Sequence, residues 1–348
     1  MAHLRRSPHR LCVMMNPVLS LVPANNPSVS LARFMYLNFS GVLCPTGGPP
    51  AGGNSAAPGE CYYYVNFSRY KIGIMLHLAG VLPASLLAVV QFTPFIRKRW
   101  ILVHRITGYA ALLLYTIGLI GALMIARRAF GGGMEVQVWV GFVGIGVLVC
   151  FAISYANIKR LQIEQHRAWM LRGWFYAGAI ITTRLIMIIA TQFISDKGYY
   201  AVWPCAKIEA TLQNKANWLD AYPSCASYAN GTNLDQVSAI AASFGRGGAP
   251  NAGAALNLNF GMALWLALAI HAVGVESYLQ LTPKEAQRLR QVSYQRQLEA
   301  GMKDPGSAGL TADRLGDAEK WVPEATRKDI DCTSTPTVST HDHHMGTT

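Results

Sequence analysis

Long apolar runs, separated by short charged or glycine-rich stretches, set the pattern of this chain. Five reach the roughly 20 residues that a helix needs to cross a bilayer: Ile72–Ile96, Ile106–Ala126, Val136–Ile158, Gly173–Ser195, and Asn251–Val275 closing at Glu276. The first three hold no Lys, Arg, Asp or Glu, the fourth holds only Arg184, and the fifth is uncharged until Glu276. The pattern predicts an all-α transmembrane helical bundle of about five spans, residues 72–281. Before it lies a segment 1–71, and after it a tail 282–348. Pro83 falls inside the first span, where a kink is expected. Gly141, Gly144 and Gly146 give the third a small-residue face suited to close helix packing.

The polar connections orient the bundle. Arg97, Lys98, Arg99 and Arg105 follow the first span, and Lys159, Arg160, Arg167 and Arg172 follow the third. The second connection has only Arg127 and Arg128, offset by Glu135. The positive-inside rule then puts the first and third connections and the C-terminal tail in the cytoplasm. Residues before Ile72 and the loop 196–250 become lumenal or extracellular. Glycosylation acceptor triplets start at Asn38, Asn66 and Asn230, all on that outer side. Cys44, Cys61, Cys205 and Cys225 fall there too, and an oxidising compartment favours two disulfides of open pairing, expected to tie the N-terminal segment and the long loop into a cap. Cys150 lies in the third span, Cys332 in the tail and Cys12 near the N-terminus.

Outside the spans the reading is coarser. Arg5, Arg6 and Arg10 precede the apolar stretch Leu11–Pro23, so residues 1–23 read either as a signal peptide or as a degenerate helix. Residues 44–59 read as a flexible Pro/Gly/Ala linker. Thr282-Pro283-Lys284-Glu285 is a helix start, with the helix expected to reach about Gly301 and disorder beyond it. His341, Asp342, His343 and His344 read as solvated tail, and no metal site is expected.

Composition narrows the class. Of 348 residues, 51% are hydrophobic and 14% charged, with a mean hydropathy of +0.23; soluble domains carry roughly 25% charged residues. A disordered chain is excluded. The net charge of +12, from 30 Lys+Arg against 18 Asp+Glu, is spread over the connections and forms no stripe, so no nucleic-acid partner is expected. The expected partners are the lipid bilayer and a lipophilic small molecule, in an endomembrane or plasma membrane setting.

Polar residues inside spans are costly and so are the leading functional candidates. His77, Arg184, His271 and Glu276 form one candidate polar cluster. Arg184 is expected to face the bundle interior beside His77 or His271, and Glu276 reads as the only carboxylate in or bordering the spans. His104 and His166, at the starts of the second and fourth spans, form a second set. Gly108, one helical turn from His104, would admit a flat group or another backbone beside the imidazole.

These stretches carry a resemblance. His77, the Pro83 region, Gln91-Phe92-Thr93-Pro94, His104-Arg105 with Gly108-Tyr109, His166-Arg167 with Trp169-Met170-Leu171-Arg172, Arg184, Trp203-Pro204-Cys205 and the His271/Glu276 helix resemble the predicted multi-pass membrane proteins grouped as domain of unknown function 2306, fungal type. The resemblance implies a membrane fold and a residue pattern, and no activity. Three readings of the polar residues stay open. In one, the histidines are structural, in an integral membrane protein of unassigned activity. In another, His104 and His166 serve as axial ligands of haem b in a transmembrane redox protein. In the third, Arg184, His271 and Glu276 serve a membrane enzyme or transporter acting on a lipophilic metabolite. No nucleophile triad, phosphate loop, HExxH sequence or nicotinamide fingerprint names a reaction.

Overall fold

The computed structural model describes residues 33–45, 56–212 and 217–323. The expectations for residues 1–23, Cys12, Cys332 and the histidine-rich tail lie outside these residues, as does most of the Pro/Gly/Ala linker. In chain order the helices are α1 (Glu60–Asn66), α2 (Ser68–Phe92), α3 (Pro94–Arg99), α4 (Ile101–Ile125), α5 (Met134–Lys159) and α6 (Ile163–Ile194). Strand β1 (Tyr200–Pro204) leads into α7 (Cys205–Leu212), α8 (Trp218–Ala221) and α9 (Ala226–Ala229), followed by strand β2 (Val237–Ala241). Helices α10 (Ala249–Gln280), α11 (Pro283–Glu299) and α12 (Ala312–Leu315) close the described chain.

Among the described residues, α2, α4, α5, α6 and α10 are long and apolar enough to cross a membrane. The protein is thus an all-α, five-span bundle with one small sheet. The spans exceed the apolar runs that announced them. Helix α6 begins at Ile163, ten residues before Gly173, because a helix does not stop where hydrophobicity stops. At 32 residues it is about 48 Å long, well beyond a roughly 30 Å hydrocarbon core. The first span instead ends early, at Phe92, where Thr93 turns extended before Pro94 opens α3. Pro83 sits inside α2, and the helix continues past it without a break to Phe92.

Close packing uses other glycines than those of the third span. A β-carbon on Gly80 would lie 2.4 Å from the Gly118 nitrogen, and one on Gly121 would lie 2.4 Å from the His77 nitrogen. Backbone therefore meets backbone where α2 crosses α4, the geometry that small residues permit in a bilayer. Gly141 and Gly146 have nothing within 4 Å of such a carbon, and Gly144 meets only the Leu119 side chain.

The chain forms two compact units. The first contains α1 to α4, the larger parts of α5, α6 and α10, and the segments that follow α6. Its disulfides are Cys44–Cys61 and Cys205–Cys225. Each closes a local loop, of separation 17 and 20, contributing about 3 kcal/mol on a chain-entropy account. Neither disulfide joins the N-terminal segment to the long loop, which corrects the expected covalent tie. Their contact is non-covalent: Lys207 of α7 lies against Tyr63 of α1. Under each disulfide is an apolar cluster, one with Leu43, Tyr63, Tyr64, Ile74 and Ile125, the other with Trp203, Ile208, Ile240 and Ala254. Strands β1 and β2 pair antiparallel, Tyr200 opposite Ala241 and Trp203 opposite Ser238. Alternate residues are buried, as a one-faced sheet requires.

The second unit comprises residues 150–171 and those from 276 onward. Here the expectation of disorder past Gly301 fails for residues 302–323. Gln162, fully buried, accepts from the Gln297 amide and from Gly309 N, both at 2.8 Å, and donates to Gly306 O at 2.9 Å and to Glu164. Asn157 Oδ1 accepts from Leu310 N at 2.8 Å. Arg290 pairs with Asp313 at 2.7 Å and its guanidinium faces the Trp321 ring. Polar composition suggested a solvated tail, but these polar groups satisfy one another in a buried network.

Candidate functional site

The titratable cluster of the first unit is built around α1. Gly59 starts it with a φ of +85°, and a β-carbon there would lie 2.4 Å from Lys207 Cε. Glycine is needed both for that backbone and for the approach of the lysine. Glu60 follows, 1% exposed, and its Oε2 accepts a 3.2 Å hydrogen bond from the Tyr64 hydroxyl one turn along the helix. Glu60 Oε1 is buried without a hydrogen bond of normal geometry. Burial pushes the Glu60 carboxyl above its ordinary range; the nearby charges of Lys207 and Arg184 and the Phe130 backbone amide only partly oppose this.

Lys207 is 1% exposed, and its ammonium lies 3.7 Å from the Trp203 ring centroid and 5.3 Å from that of Tyr63. These are cation–π distances. Burial lowers the amine to about 8, helped by Arg128 and opposed by Glu60. Trp203 in turn fits against Gly253 of α10, where a β-carbon would strike its ring at 2.5 Å. The Asn257 amide, oriented to accept from the indole N–H at 3.1 Å and donate to Gly253 O, holds the ring in place.

Arg184 reaches this cluster from α6 but is itself exposed, which corrects the expectation that it faces the bundle interior. Its guanidinium stands 4.6 Å from the Phe130 ring centroid and 5.6 Å from that of Phe260. Those two rings stack at 4.3 Å. Phe130 adopts φ +48°, a left-handed conformation that costs a bulky residue about 1–3 kcal/mol and concentrates at functional sites. Because α6 starts at Ile163, Arg184 is ten residues from its far end at Ile194 and not at mid-helix.

His77 Nδ1 bonds Gly118 O at 2.9 Å in the α2–α4 crossing, within electrostatic reach of Arg184. His271 has both ring nitrogens engaged, Nε2 with Thr182 Oγ1 at 2.8 Å and Nδ1 with Phe175 O at 2.7 Å. Glu276 belongs to the second unit. It is not the only carboxylate in or bordering the spans: Glu60 stands just before α2, and Glu164, 6% exposed, lies in the first turn of α6. His104, in the first unit, has a buried Nδ1 without a hydrogen-bond partner. His166, in the second unit, has Nδ1 within 2.8 Å of Ser154 Oγ. Beside Gly108 lies the Gln91 side chain, 3.1 Å from where its β-carbon would be, and not another backbone. Among the described residues, no three His, Cys, Asp or Glu side chains are grouped to hold a metal ion. Asn38, Asn66 and Asn230 are all exposed.

Sequence reading passed over Glu60, Tyr64, Lys207, Phe130 and Arg128. Two signals were available: Glu60 is the last acidic residue before a run without Asp or Glu that ends at Glu135, and Lys207 follows the Trp203-Pro204-Cys205 segment closely.

Comparison with known proteins agrees with the membrane architecture. Residues 74–207 match the family described as "Predicted membrane protein (DUF2306)". The matched segment holds His77, His104, His166, Arg184, Trp203 and Lys207, whereas Glu60, His271 and Glu276 lie outside it. The chain is also 27% identical over 225 residues to the Aspergillus versicolor protein named "Ava biosynthesis cluster protein G", covering 56% of this chain. It spans 65% of that relative's length, a little under two thirds. No solved structure matches the chain significantly.

Proposed function

We propose that this protein is a membrane enzyme that transfers a proton to or from a lipophilic metabolite at the disulfide-bearing end of its bundle. The observation that carries this is Glu60: a fully buried carboxyl with one oxygen on Tyr64, the other without a hydrogen bond of normal geometry, and its proton affinity raised by burial. Such a group is a general acid in waiting. Tyr64 fixes the carboxyl, while Phe130, Phe260 and Trp203 supply aromatic walls. The relative named for a biosynthesis cluster supports a metabolite as the substrate class.

On the same reading this end lies outside the cytoplasm and the C-terminus within it. The basic connections support that orientation, as do the two disulfides. Asn230 is the favoured glycosylation site, since its Oδ1 already accepts from both the Thr232 amide and hydroxyl, at 3.0 and 2.7 Å, in an exposed turn. Haem b is left out of this reading. An axial imidazole is ordinarily oriented by a hydrogen bond at its second nitrogen; His166 Nδ1 has one and His104 Nδ1 does not.

The test is deletion of the gene in its producing host, followed by complementation with wild type, Glu60→Gln or Tyr64→Phe. The proposal expects a precursor to accumulate on deletion and with Glu60→Gln, and wild type to restore the product. Restoration by Glu60→Gln to the wild-type level would overturn it.

A further inference from the structure

We infer that the cluster around Tyr63 takes an anionic group, a carboxylate or phosphate borne on an apolar body, between Arg128 and Lys207. The inference rests on the acid–base reading only in taking the same cluster as the site, and it names the class of ligand.

Charge is the first observation. Arg128 and Lys207 both address the Tyr63 ring, at 4.9 and 5.3 Å from its centroid, so two cations flank one aromatic. They lie close enough that Arg128 disfavours the charge on Lys207. Arg184 adds a third positive charge that reaches Glu60 and Tyr64. Glu60 is the carboxylate that acts on Tyr63, Tyr64 and Lys207, and burial favours its neutral form. Either way a fully buried Lys207 stands beside further positive charge, a costly arrangement unless a counter-charge arrives.

The second observation is independent of charge. Arg128 Nε is buried without a hydrogen-bond partner, and Glu60 Oε1 is buried without a bond of normal geometry. A guanidinium N–H is a strong donor with no acceptor capacity, so its natural complement is an anionic oxygen. The aromatic surfaces of Tyr63 and Trp203 suit the apolar part of the same molecule. Tyrosine hydroxyls already engage other parts of Arg128, which fixes the guanidinium without neutralising it.

A free lipophilic acid and a phospholipid headgroup share this chemistry, and we assign the site to the free acid, because its two rings, Tyr63 and Trp203, are buried in the apolar clusters that hold Cys44 and Cys205. The experiment uses the purified full-length protein in nanodiscs and follows tryptophan fluorescence on titration with 1-pyrenebutyrate, with the neutral 1-pyrenebutanol as its twin. The acid is expected to bind about tenfold more tightly than the alcohol. Arg128→Gln and Lys207→Met should each reduce that preference while leaving the alcohol's affinity unchanged. Glu60→Gln should retain it, so a failure of the acid–base reading in the complementation test would leave this inference standing. Equal affinity for acid and alcohol would overturn it, as would a preference that survives the double variant. Abolition of acid binding when phosphatidylglycerol is added to the phosphatidylcholine disc would also overturn it, by assigning the site to a lipid headgroup.

Discussion

Lys207 stands 3.7 Å from the ring of Trp203, where α6 and β1 have brought the chain back over α1, and both side chains are almost fully buried. The same ammonium lies 5.3 Å from the Tyr63 ring of α1, and that contact, not a disulfide, joins the long loop to the N-terminal segment. The energetics of the cap therefore depend on a titrating amine.

The sign of that dependence follows from the lowered amine. In the unfolded chain Lys207 holds its proton up to about 10.5, and in the folded one only to about 8. Between those values the unfolded state binds more protons, so stability rises with pH from about 8 to 10.5. The gain is on the order of 3 kcal/mol by linkage. Thermal unfolding of wild type against Lys207→Met across this window measures it; the variant should lose the rise.

The α2–α4 crossing gives a sharper mutational contrast. Gly118→Leu must separate two backbones that now touch, and should cost more than about 3 kcal/mol or prevent accumulation of folded protein. Gly141→Leu and Gly146→Leu, which meet open space, should stay within about 0.5 kcal/mol of wild type. Fluorescence-detected size-exclusion with thermal challenge compares the three.

The second unit predicts a pinned tail. Gln162→Ala removes the partner of Gly306, Gly309 and Gln297 at once, and should make residues 302–321 sensitive to limited proteolysis while wild type resists. Acid should act in the same direction. Burial raises the Asp313 carboxyl, but hydrogen bonds from Ser307, Thr311 and Arg290 outweigh it and hold the group well below the usual carboxylate range. Its contribution is therefore present above the ordinary carboxylate pKa and is lost as pH falls through the lowered one.

Glycosidase treatment reads the orientation. Asn230 lies in a loop away from any span and should carry a glycan. Asn66, whose amide donates to Tyr62 O at 2.8 Å and which ends α1 immediately before α2, should not. A mobility shift that survives Asn230→Gln but is lost in Asn66→Gln would reverse this assignment.

Five spans were legible because a bilayer demands apolar length, a property that sequence displays directly. The helix ends were not, since charged residues such as Glu164 and Arg167 continue α6 past the apolar run. The sheet escaped notice because each strand has only five residues, although the Ala201/Trp203 and Ser238/Ile240 alternation was present. The site was missed for a deeper reason. Glu60 and Lys207 lie outside the spans, where charge looks ordinary, and only the folding of the loop onto α1 buries them. Arg184 was legible as a functional lead, but its aromatic partners, Phe130 from a turn and Phe260 from the fifth span, required the tertiary structure.

Burial raises the proton affinity of Glu60, and the proposed acid–base role depends on it. Infrared difference spectroscopy of the purified protein during a pH titration tests it most directly, with Glu60→Gln identifying the band. The account predicts a protonated-carboxyl stretch that is absent in the variant and disappears at a pH above the ordinary glutamate range. A band that titrates at or below that range would contradict it.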